Sequence, residues 1–282
     1  MRPKIVAEYL PQTNEVADEF LKRLKKIRTP NGEVLDLNTE AAKWNLKTTL
    51  RNFFEMRMGL FENETNGFFD VRQLIEANDA ILHNATRLYY TFPLYKYIRT
   101  SEWNGMVEGA DYLFGTLQKL LDETIDEIQT LSVTNQLPDD KYCFLRHLLA
   151  RSSGLPYREW GMLAMDVVFD GINATVLSLN NIVLLDDPKY FVSPEKFLPE
   201  RWLRDGPAVD GEVGNPYVLL PFGNGPRMCL GRRFAEQELY VMIAKIVQNF
   251  RLEWLDSVDM GQLYRSVMVP DRSARIKFTD RH

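Results

Sequence analysis

Pro221-Phe222-Gly223-Asn224-Gly225-Pro226-Arg227-Met228-Cys229-Leu230-Gly231-Arg232-Arg233-Phe234 is the stretch on which the reading turns. Glycines at 223, 225 and 231 with prolines at 221 and 226 specify a stiff, tight loop, and some residue in it needs φ > 0. Ala235, Leu239, Met242 and Ile246 follow at helical spacing, so Cys229 falls at or just before a helix N-terminus. Backbone N–H groups and the helix dipole favour a thiolate there. Arg227, two residues upstream, adds a cation that can meet an anionic group of a ligand.

Several chemistries use such a loop, and spacing separates them. A phosphate-cradling loop needs Gly-Lys-Ser/Thr, but Gly231 is followed by Arg232-Arg233. A Gly-x-Gly-x-x-Gly dinucleotide loop fails at Met228. A cysteine phosphatase places Arg six residues after its Cys, where this chain has Ala235. A Cys-x-x-Cys pair fails at Arg232. Thiolate ligation of a metal cofactor survives, with Arg227 serving the cofactor's carboxylates.

The rest of the composition is that of an ordinary globular chain: 282 residues, 45% hydrophobic, 26% charged and 12% aromatic. This excludes collagen-like, low-complexity and wholly disordered classes. With 34 Lys and Arg against 39 Asp and Glu the formal charge is -5, a poor balance for binding nucleic acid. Cys143 and Cys229 cannot build a disulfide framework, and with His83, His147 and His282 they show no zinc spacing. Cys143, beside Phe144 and Leu148, reads as a core residue. No secretory signal and no membrane-spanning apolar run is expected.

Periodicity predicts helices over Asn14 to Arg28, Thr39 to Gly59, Leu74 to Tyr90, Glu102 to Leu131, around Cys143 to Ala150, and over Arg158 to Leu179. Lys22, Lys25, Lys26 and Arg28 read as a solvated face of the first. From Asn180 to Phe222 the chain is a meandering loop region in which Tyr190, Phe191, Phe197 and Trp202 need a surface to pack on. Helix resumes after Gly225, and short strands are expected at Arg251 to Trp254 and Ala274 to Phe278.

Phe222-x-x-Gly225-x-Arg227-x-Cys229-x-Gly231 matches, at every fixed position, the haem-binding loop of the cytochrome P-450 family, which this chain resembles. The resemblance implies a mainly α fold with minor β, one domain over 1–282, and haem as cofactor. It makes Cys229 the axial thiolate of haem iron and Arg227 the partner of a propionate. Phe222 would pack near the sulfur, and Gly225 and Gly231 would let backbone N–H groups approach it. It also implies a monooxygenase that inserts one oxygen atom from O2 into an apolar, sterol- or xenobiotic-like substrate. The segment Trp44 to Leu60 looks most like the mitochondrial class. That implies an iron–sulfur ferredoxin as electron donor and a place on the matrix side of the inner membrane, with the endoplasmic reticulum as the alternative. Arg265 to Asp271 resembles the family's C-terminal hairpin at the substrate pocket.

Three departures stand out. In Asp170-Gly171-Ile172-Asn173-Ala174-Thr175, which resembles the oxygen-activating helix, Asn173 and Ala174 replace the proton-relaying acid and Thr. Only Thr175 keeps a hydroxyl, and it is the remaining catalytic candidate. The resemblance also calls for far more than the 54 positions that lead from Thr175 to Cys229. Asn180-Asn181 reads as a join, and the family's first helices are missing ahead of Met1. Finally, no Glu-x-x-Arg occurs, so Arg201 of Pro199-Glu200-Arg201 is expected to lack its carboxylate, at a cost of several kcal/mol if buried. The alternative to an enzyme is a non-catalytic remnant that binds haem weakly or not at all.

Overall fold

Pro11 fits the first turn of a helix, where its missing N–H has no partner to lose, and α1 therefore starts at Leu10, ahead of the expected Asn14 (Leu10–Ile27). The periodic signal begins only at the buried Val16. The computed structural model describes residues 6–55, 61, 69–138, 141–146, 187–196, 198–203, 218–265 and 267–281. The chain divides into two compact units, one of Met1–Gly171 with Arg233–His282 and the other of Ile172–Arg232.

In the first unit, α2 (Leu37–Phe53) begins where Asp36 accepts a hydrogen bond from the Thr39 N–H at 3.2 Å. α3 (Val71–Tyr90) is capped by Asp70, whose Oδ1 accepts from Arg72 N and Gln73 N at 2.8 and 3.2 Å. α4 (Ser101–Val133) is capped by Thr100, whose hydroxyl accepts from Trp103 N at 3.2 Å. Each cap satisfies donors that the first helical turn leaves open. The helix expected to run from Thr39 to Gly59 ends at Phe53, and residues 56–60 lie outside the described ones. So do residues 147–186, with the expected helix Arg158 to Leu179 and Thr175.

α3 and α4 pack side by side through Leu74, Ile81, Leu113 and Leu117. Gly109 permits the approach, because a Cβ there would stand 2.8 Å from the Ala77 carbonyl oxygen. A second core gathers Val16, Phe20 and Leu24 of α1, Trp44 of α2, and Met242 of α5 (Arg232–Asn249). Phe250 and Phe278 complete it, their rings edge to face at 5.5 Å.

Those two phenylalanines come from β1 (Phe250–Trp254) and β4 (Ile276–Asp280), antiparallel with Phe250 opposite Asp280. Between them β2 (Gln262–Arg265) and β3 (Val267–Pro270) form a second antiparallel pair, the hairpin expected near the C-terminus. Lys22, Lys25 and Lys26 are exposed, as expected of a solvated face, while the half-buried Arg28 is drawn into the pairing. Arg28 Nη2 meets Asp280 Oδ2 at 2.6 Å, Lys25 meets Oδ1 at 3.6 Å, and Arg28 also donates to the Phe278 carbonyl. The last turn of α1 is thus tied to β4, 252 residues away.

The second unit holds the meander. Pro199–Trp202 forms a single 3-10 turn. Arg201 does not stand as an uncompensated buried charge: its guanidinium donates to the carbonyls of Val192, Ser193 and Lys196, the last two at 2.8 Å. Neutral acceptors on a half-exposed group hold the cation without a carboxylate. Phe191 is buried as expected, but Trp202 is 62% exposed, its ring 6.3 Å from that of Phe191. Phe197 lies outside the described residues.

Candidate functional site

The loop over Pro221 to Gly231 is closed by its own backbone. Gly223 N donates to Leu220 O at 3.0 Å, Met228 N to Gly225 O at 3.1 Å, and Cys229 N to Phe222 O at 2.8 Å. Gly225–Arg227 forms a 3-10 turn opened by Pro226. The required positive φ appears at Gly223 (+70°) and Gly225 (+80°), conformations that a Cβ disfavours. The bond from Cys229 N to Phe222 O ties the two ends of the motif together. It holds Cys229 in place three residues before α5.

Cys229 is a half-buried free thiol. A Cβ on Gly231 would lie 3.9 Å from its Sγ, so that flank of the sulfur is lined by backbone alone. The Arg232 guanidinium sits over the Phe222 ring, 5.5 Å from the centroid, a cation–π contact that braces the loop. Among the described residues no group of three His, Cys, Asp or Glu side chains gathers to hold a metal ion. A lone thiolate does not cage a bare ion. It suits a metal that arrives with its other ligands in place, as haem iron does. On this proximal side the residues present fit such a group. Thr175, Asn173 and Ala174 lie outside the described residues.

The arrangement defines a class: a mainly α chain whose tight cysteine loop feeds a helix and whose C-terminal strands pair in two small antiparallel sheets. Comparison with known proteins agrees. The family model Cytochrome P450 matches residues 1–185 and 173–278, and this chain belongs to that family. It is 25% identical to Cytochrome P450 10 of Lymnaea stagnalis, over 98% of this chain and 64% of that protein. It is 23% identical to the mitochondrial 1,25-dihydroxyvitamin D(3) 24-hydroxylase of Mus musculus, over all of this chain and 68% of the relative. The mitochondrial Probable cytochrome P450 12a5 of Drosophila melanogaster reaches 39% identity over 42% of this chain and 24% of its own. Among solved structures, retinoic acid bound cyanobacterial CYP120A1 superposes with a TM-score of 0.65 at 16% identity, covering 99% of this chain and 76% of that one.

The fold is therefore an incomplete cytochrome P450 fold. The chain spans only 62 to 64% of the length of Cytochrome P450 10 and Probable cytochrome P450 49a1 of Drosophila melanogaster. Against the mouse hydroxylase, 356 aligned positions for 282 residues leave at least 74 positions without a counterpart here. The two stretches of the family match meet over residues 173–185, which contain the join read at Asn180-Asn181.

Proposed function

We propose that this chain holds haem through Cys229 and that its reaction class is haem-thiolate monooxygenation of an apolar, sterol- or xenobiotic-like substrate. The observation that carries the reading is the closed loop, which presents one free, half-buried cysteine just ahead of α5. Bound haem would supply O2 activation, with the thiolate pushing electron density toward O–O cleavage. Cys229 would be the axial ligand, and Arg227 would pair with a propionate. Gly225 and Gly231 would keep the loop thin enough for close approach, and Phe222, braced by Arg232, would shield the sulfur. Thr175 would offer the hydroxyl on the opposite side.

Electrons would come from an iron–sulfur ferredoxin, met by Arg232 and Arg233 beside the loop. The mitochondrial names of two relatives support a mitochondrial site, and we place the chain on the matrix side of the inner membrane. A surface feature supports the membrane. Tyr89, Tyr90, Phe92, Leu94, Tyr97 and Ile98 are all exposed at the end of α3 and just beyond it, Tyr97 by 80%. Exposed Arg87, Lys96 and Arg99 stand among them, the pattern of an interfacial anchor. Among the described residues no helix is long and apolar enough to cross a membrane.

A second reading is favoured by the two-piece family match. With the internal segment, Glu-x-x-Arg and the acid–Thr pair all missing, the chain would bind haem weakly and not turn over. The test is to express the chain with haem supplied, reduce it, add carbon monoxide and record the Soret band. A thiolate-shifted band lost in Cys229→Ser supports ligation by Cys229, whereas no band in the unaltered chain overturns it. On the second reading turnover with NADPH, ferredoxin and its reductase is undetectable, because Asn173 and Ala174 relay no proton. Robust turnover would refute the second reading.

A further inference from the structure

Glu238 stands on α5 with only 8% of its surface exposed, an unusual place for a carboxyl group. Its Oε1 accepts a hydrogen bond from Asn52 Nδ2 of α2 at 3.1 Å. The same amide nitrogen donates to Thr13 Oγ1 of α1 at 3.4 Å, and Gln237 Nε2 of α5 reaches that hydroxyl at 3.5 Å. Thr13 and Asn52 are fully buried, so this polar knot joins three helices inside the core.

Among the described residues no cation pairs with it. The charged groups on the helices packed around it are engaged with one another: Arg51 with Glu15, Lys47 with Glu19, Lys43 and Arg23 with Glu40, and Lys245 with Asp18. An ionised carboxylate here would have one amide donor and no counter-ion, an expensive state away from water. One observation points to the other protonation state. Asn52 Oδ1 is buried and has no hydrogen-bond donor. A carboxylate cannot supply one, whereas a carboxylic acid beside it carries an O–H that can.

We infer that Glu238 is kept in the folded chain as a neutral carboxylic acid paired with the Asn52 carboxamide, and that this pair is a pH-sensitive latch between α1, α2 and α5. Desolvation by burial, the dominant influence, pushes the Glu238 carboxyl up to about 7, the Asn52 amide pulling weakly the other way. Below that pH the acid closes the knot. Above it the proton leaves, Asn52 Oδ1 loses its donor, and a bare anion faces a polar oxygen. A cavity of about 410 Å3 lined by Glu238, Trp44, Asn45, Ala235 and Leu239 gives the anion a route to water. The latch therefore opens toward this cavity and loosens α5, the helix that follows Cys229. None of this depends on haem.

The direction follows from linkage. Folded Glu238 holds its proton up to about pH 7, while in the unfolded chain it is released near its ordinary 4.5, so stability falls as pH rises through that window. The test is urea unfolding of the full chain from about pH 5 to about pH 8, beside Glu238→Gln, which keeps the shape and removes the titration. The unaltered chain should show an unfolding constant that rises on the order of a hundredfold more than in Glu238→Gln. Equal pH slopes in the two would overturn the latch. Should Glu238→Gln not fold, infrared titration of the unaltered chain decides. A carboxylic-acid carbonyl band that persists at pH 6 and fades as pH passes about 7 supports the latch, and its absence at pH 6 refutes it.

Discussion

At the scale of single residues, two glycines with positive φ separate backbone strain from steric clash. Gly225 has φ +80° and open space around the position of a Cβ. Gly225→Ala should cost about 1 kcal/mol from the left-handed backbone alone. Gly32 has φ +86°, and its Cβ would lie 2.9 Å from the Phe278 carbonyl oxygen, on backbone that already accepts the Arg28 guanidinium. Gly32→Ala should therefore cost more than Gly225→Ala, and urea midpoints compared side by side would show it; equal costs would mean that the strand moves aside freely. Phe250, with no exposed surface, fills the space between α1, α5 and the β1–β4 pair. Phe250→Ala should lose about 3–5 kcal/mol, read from the same unfolding curves.

At the scale of elements, the α3–α4 contact depends on Gly109 being bare. Gly109→Val should push the two helices apart and destabilise the chain by about 1–3 kcal/mol even though valine adds apolar area, because the clash is with the Ala77 carbonyl backbone rather than a side chain that can turn away. Gly115, on the same helix with open space around it, is the control: Gly115→Ala should raise thermal stability slightly, by about 0.5–1 kcal/mol. Helix starts also show how local signals work. Asp36, Asp70 and Thr100 each cap a helix two to four residues before the periodic pattern begins. Periodicity marks the first residue that faces the core, while the cap lies on the rim and leaves no periodic trace.

At the scale of the whole molecule, the exposed aromatic segment from Tyr89 to Ile98 is a large apolar area for a chain in water. The chain should co-sediment with vesicles rich in anionic lipid, and replacing Phe92, Tyr97 and Ile98 by serine should abolish this while leaving the circular-dichroism spectrum unchanged. Binding that survives the triple change would assign the membrane contact elsewhere. On α5, Leu239, Tyr240, Ile243 and Val247 are exposed at helical spacing.

The backbone of the Cys229 loop was legible in the amino-acid order, because tight turns and positive φ are decided within a dozen positions. The helices over Leu10–Ile27, Leu37–Phe53, Val71–Tyr90 and Ser101–Val133 were legible but for their ends, and so was the join at Asn180-Asn181, which the family match brackets from both sides. Three pairings were not legible. Glu238 with Asn52 spans 186 positions, Arg28 with Asp280 spans 252, and Arg201 found backbone carbonyls in place of a carboxylate. By itself the sequence determined the family and where most of the described helices and strands lie. Only the tertiary structure decided which polar groups are buried and with whom, because desolvation belongs to the packed core and no local pattern encodes it.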